Sequence, residues 1–162
     1  MEFSIPRWKQ LPGLALYMDQ VLLVLGGILE PLSTEENPMV TATMINNYVK
    51  MKLTPPPEKK KYSRAHVASF LMICLLKKVF SLTEVSALHE QFGDLEKTYD
   101  LFCRELELRL QDPAGEDSPQ CPGILCACVR AVACKLRVEL LLAQEEKKKI
   151  SAKNSEQKLD TE

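Results

Sequence analysis

The chain is poor in the residues that catalytic sites are built from. Its 162 residues include two histidines, six glycines and one tryptophan, and aromatics make up only 6%. His66 and His89 form no H-E-x-x-H pair, and there is neither a glycine-rich phosphate loop nor a G-x-S-x-G turn. Asp100, Glu105 and Glu107 read as an acidic helix surface rather than a carboxylate dyad, so no enzyme activity is expected. Long apolar runs are also missing. The best candidate, Leu14 to Leu32, is broken by Asp19, Gln20, Glu30 and Pro31, which excludes a membrane span. Arg7 and Lys9 are followed by Pro12-Gly13 rather than by an uninterrupted apolar stretch, so no signal peptide is read and a cytoplasmic protein is expected.

Six cysteines without a secretory signal do not suggest a disulfide framework. The last four are spaced C-x4-C-x-C-x5-C, but Cys126, Cys128 and Cys134 fall inside a helical pattern and point in different directions. They read as small apolar side chains, with no metal and no cofactor expected.

What is present is an ordinary globular composition, 46% hydrophobic and 27% charged, enough for one domain with a core. The net charge of −1 conceals strong blocks. Residues 41–80 hold eight basic residues against one acidic; residues 81–120 hold ten acidic against three basic. A positive field this concentrated is the footprint of a polyanion-binding face, unless the neighbouring acidic block neutralises it.

Apolar spacing predicts a helix over 14–29, with Tyr17, Val21, Val24, Leu25 and Ile28 on one stripe and Leu22, Leu23 and Leu29 widening it. A short helix over 43–50 follows, with Thr41 or Thr43 as its cap. Pro55-Pro56-Pro57 must be extended, and residues 59–62 suit a short strand. Ser63 caps a helix to about Val79, and Ser81-Leu82-Thr83-Glu84 is a capping box. Further helices are expected over 94–110 and from Pro122 to about Glu146, with the polar remainder from Lys147 disordered.

The order short helix, Pro-rich turn, basic turn and two capped helices resembles the winged helix-turn-helix DNA-binding domain of MerR-type regulators. Met44 to Lys50 matches that family's recognition helix and Leu53-Thr54-Pro55-Pro56 its Leu-Pro turn. Lys61-Tyr62-Ser63 matches the end of the wing, and Phe80-Ser81-Leu82-Thr83-Glu84-Val85 the closing phrase. Asn46 replaces an arginine of the family pattern, Lys52 and Val79 replace glycines, and the wing is cut to Pro57 and Glu58 before the lysines. More closely, MINNYVKMKLTPPPEKKKYSR, with LPGLALYMDQV before it and YDLFCRELE after it, is similar to a small family of unknown function found mainly in Firmicutes. That likeness spans about residues 5–110.

The expected fold is therefore mainly α. It is a MerR-like winged helix-turn-helix with a very short wing over about 40–92, extended by N-terminal and C-terminal packing helices into one domain over 1–146. The resemblance implies a DNA-binding protein, a transcriptional regulator. Its contacts to double-stranded DNA would come from Thr41, Thr43, Asn46, Asn47, Lys50, Lys52, Lys59, Lys60, Lys61, Tyr62 and Arg64. Asn side chains suit adenine edges; Lys and Arg suit phosphates. A homodimer through the C-terminal helices would supply two-fold symmetry. The alternative is a protein-interaction module on the same scaffold, without DNA binding.

Overall fold

The computed structural model describes residues 3–160. Among them are six α-helices: α1 (Met18–Leu29), α2 (Ala42–Lys50), α3 (Arg64–Leu76), α4 (Leu82–Gln91), α5 (Leu95–Gln111) and α6 (Gly123–Leu159). No strand forms among the described residues. The extended segment expected at 59–62 is reduced to two isolated antiparallel bridges, Glu58 with Lys61 and Leu16 with Tyr62.

The hub is α3. Every residue from Val67 to Leu76 is buried, a ten-residue run with no solvent face. A helix apolar all round must be enclosed, and α1, α5 and α6 enclose it. Ser63 starts it by accepting the His66 N–H. Three other helices also open on side-chain caps: Thr41 for α2, Ser81 for α4 and Asp94 for α5. At α4 the Glu84 carboxylate accepts the Ser81 hydroxyl proton, at 3.2 Å, rather than the Ser81 backbone N–H.

In α1, Val21, Leu25 and Leu29 are buried one turn apart. Leu23, expected to widen the apolar face, is instead 79% exposed, because α3 covers only one side of this helix. The helix also begins four residues later than predicted, since Leu16 is held in the bridge to Tyr62.

Residues 3–11 form a strap that periodicity did not announce. Phe3, Ile5 and Leu11 are buried. The acidic face of α5 holds this strap in place. Trp8 donates its backbone N–H to Asp100, Ile5 donates to Glu107, and the Arg7 guanidinium lies 2.9 Å from the Glu107 carboxylate. Tyr99 donates its hydroxyl to the Pro6 carbonyl at 2.7 Å.

The α5 and α6 helices make the most extensive helix pair in the molecule. The 112–122 loop between them is tied down by Arg130, which reaches the Asp117 carboxylate and the Gly115 carbonyl. Helix α6 continues to Leu159, past the end expected at Glu146 and through the stretch read as disordered. All of it from Leu141 onward is exposed. With no buried stripe, this stretch is carried by helix-forming residues and by pairs such as Lys148 with Glu145.

Candidate nucleic-acid interface

Helix α2 turns Ile45 and Tyr48 into the core and leaves Thr43, Asn46, Asn47 and Lys50 exposed on the opposite side. Spacings of three, four and seven residues place those four on one stripe. Thr41 is half-buried, and its oxygen accepts the Met44 N–H at 3.2 Å, so it acts as a cap first. Asn47 donates weakly to the Met51 sulfur at 3.6 Å, while Asn46 makes no side-chain hydrogen bond among the described residues.

The helix ends in a Schellman turn. The Lys52 N–H reaches the Val49 carbonyl and the Leu53 N–H reaches the Tyr48 carbonyl, both at 3.0 Å. Lys52 occupies the left-handed position at φ 60°, where glycine is the usual residue.

After the three prolines, Glu58 and Lys61 exchange both backbone hydrogen bonds, at 3.0 and 2.9 Å. Lys59 and Lys60 form the two-residue tip at φ 50° and 64°. Two consecutive left-handed residues make a type I′ turn, which ordinarily selects Asn-Gly. The three positive-φ residues of the described chain that are not glycine are thus all exposed lysines of the basic block.

This hairpin is fastened at its base. The His66 ring accepts the Ser63 backbone N–H on Nδ1 at 3.0 Å, which leaves Nε2–H to donate to the Pro55 carbonyl at 2.9 Å. Tyr62 is 4% exposed, with its ring edge-on to His66 and Phe70. It was expected among the DNA contacts but belongs to the core, and burial pushes its hydroxyl pKa up. Tyr48 packs on the same Phe70, 6.4 Å between centroids, so α2 and the hairpin base share one part of α3.

The cations differ in how they are held. Lys61 is exposed with its ammonium 5.1 Å from the Tyr17 ring centroid, a cation–π contact. Arg64 is half-buried and turned toward Gly13; a Cβ there would lie 3.0 Å from its Nη2. Its Nε is buried without a partner. Lys50, Lys52, Lys59 and Lys60 are exposed and make no ion pair among the described residues. Neutralisation by the acidic block is not what the structure shows. Among the described residues, the one ion pair of the basic block joins Lys78 to Glu139, outside the acidic block. Glu107, Asp100 and Asp117 of that block serve the strap and the 112–122 loop.

A family model described as a domain of unknown function (DUF1836) matches residues 6–102. The chain belongs to this family. The DUF1836 segment contains residues 6–11 of the strap, α1 to α4, the hairpin and the first half of α5; α6 lies outside it. No curated protein and no solved structure matches the chain.

Of the expected contact residues, Thr43, Asn46, Asn47, Lys50, Lys52, Lys59, Lys60 and Lys61 stand exposed on α2 and the hairpin. Thr41 and Arg64 are half-buried, and Tyr62 is removed to the core. Sequence reasoning missed His66 as the fastener of the hairpin. Its position three residues after Ser63 and eleven after Pro55 carries no motif.

Proposed function

We propose that the protein binds double-stranded DNA through the outer stripe of α2 and the lysine-tipped hairpin, as a transcriptional regulator of MerR-like winged-helix type. The observation that carries the reading is the set of four exposed, unpaired lysines, three of them held in left-handed backbone. Strained backbone that has no packing role collects where function requires a particular presentation. The hairpin would act as the short wing, setting Lys59, Lys60 and Lys61 against phosphates while Asn46 and Asn47 face base edges. The matching segment contains every one of these residues, which supports placing the activity in the family domain.

A second copy would complete the arrangement. Val138, Leu141 and Leu142 are exposed on α6 at spacings of three and four, and a dimer through that stripe would present two copies of α2 to successive half-sites. Light scattering on the purified chain checks the dimer, with Leu141→Asp expected to return it to a monomer.

The test of DNA binding is fluorescence anisotropy on random duplex DNA across a salt series. With about four to six phosphates engaged, the log–log slope should be roughly −4 to −5. Absence of binding at low salt would overturn the proposal and leave the protein-interaction alternative.

A further inference from the structure

The second half of the molecule holds a cluster that the DNA reading does not use. Glu105 on α5 is 1% exposed, unusual for a carboxylate, and the buried Arg109 one turn along makes no ion pair with it among the described residues. Its ion-pair partner is Arg104, 3.3 Å away and itself 46% exposed. Cys121, at the end of the 112–122 loop, and Cys126, in the first turn of α6, meet it there. The two sulfurs and a Glu105 carboxylate oxygen all lie within 4.8 Å of one another.

We propose that Glu105, Cys121 and Cys126 bind a zinc ion.

The chemistry of the donor set selects the metal class. Two thiolates and one carboxylate suit a borderline-soft divalent cation and disfavour calcium or magnesium, which require oxygen ligands. At about 2.3 Å for Zn–S and 2.0–2.2 Å for Zn–O, tetrahedral ligand atoms stand roughly 3.5–3.8 Å apart. The three donors are therefore at most about 1 Å from closing on an ion, a movement that side-chain rotation supplies.

Charge balance agrees with this assignment. Two thiolates and a carboxylate exceed a divalent ion by one negative charge, and Arg104 on the Glu105 carboxylate returns the site to neutrality. Three protein ligands leave a fourth position for water, and the half-buried Cys121 lies on the side from which water would enter. The spacing Cys121-x4-Cys126 is a common zinc-ligand spacing, and the third ligand arrives from a different helix. All three residues lie outside the matched family segment, so the site would be an addition that clamps the 112–122 loop and α6 onto α5.

The test uses the full chain, reduced, titrated with cobalt(II) as a spectroscopic stand-in for zinc. Thiolate-to-cobalt charge-transfer bands should saturate at one equivalent and be displaced by zinc. C121S and C126S should each remove about half of the charge-transfer intensity, since each deletes one of two thiolates. E105Q should keep the bands but weaken binding by roughly tenfold or more. C134S, an exposed cysteine outside the cluster, should change nothing.

Should a variant fail to fold by circular dichroism, alkylation of the wild-type protein decides. Zinc must protect the half-buried Cys121 from maleimide while the exposed Cys134 stays reactive. Absence of charge-transfer bands, bands of undiminished intensity in C121S, or equal modification of Cys121 with and without zinc would each overturn the site.

Discussion

Replacing Lys59-Lys60 by Asn-Gly should make the protein more stable and a worse DNA binder at once. Both lysines sit at positive φ, 50° and 64°, in a two-residue turn closed by the two backbone hydrogen bonds between Glu58 and Lys61. Holding an ordinary L-residue in the left-handed region costs roughly 1–2 kcal/mol, less for Asn and nothing for Gly. Relief at two positions therefore amounts to about 2 kcal/mol. A new glycine gives part of this back, about 0.4–1 kcal/mol, by widening the unfolded ensemble. The net gain is about 1 kcal/mol, which in a chain of this size raises Tm by roughly 2–4 °C.

The same change deletes two cations. If both meet phosphates, the log–log salt slope should become shallower by about 1.8, at ~0.9 per phosphate. Urea unfolding followed by circular dichroism reads the first effect, and anisotropy across a salt series reads the second. A variant that is not stabilised would refute the strain argument. One that is stabilised but keeps the parental slope would show that the lysines do not touch phosphate. Gains in stability paired with losses in binding are what a strained functional turn predicts.

Three further outcomes follow from the geometry. His66→Ala should remove the Pro55 and Ser63 hydrogen bonds, lowering stability by about 1–2 kcal/mol; DNA affinity should fall with the salt slope unchanged, because position is lost and not charge. Thr54→Val should raise the urea midpoint by about 1 kcal/mol equivalent, since Thr54 is 4% exposed and its hydroxyl oxygen has no partner. Burial alone would raise the Glu107 pKa, but the Arg7 guanidinium and the Ile5 N–H together hold it below the usual carboxylate value. A carboxyl depressed in the folded state contributes stability that is complete above its unfolded value and lost as pH falls through the folded one. Acid unfolding of Glu107→Gln should therefore begin from lower stability at neutral pH and show a flatter limb below about pH 4.5.

Much of the helical plan was legible in the chain. Thr41, Ser63, Ser81 and Asp94 mark helix starts because a short oxygen-bearing side chain there satisfies an N–H that the helix leaves free. The span of α5 and the start of α6 were also legible, as was the basic block, which needs only counting. The strap was not, because what fixes it are bonds to α5, a hundred residues away for the Arg7–Glu107 pair. Nor was the end of α6, which rests on helix propensity and charge pairs where a periodic apolar face was sought.

Local chemistry alone determined where α2 to α5 begin, that the chain is mainly helical, and that residues 41–80 carry concentrated positive charge. Tertiary structure decided which of those charges are free. It turned Arg64 inward beside Gly13, sent Tyr62 into the core, and kept the acidic block occupied with the strap and the 112–122 loop. It also brought Glu105 to Cys121 and Cys126 across two helices. Caps and periodicity report interactions within a few residues. Pairing and burial depend on which distant surfaces meet, and no local pattern encodes that.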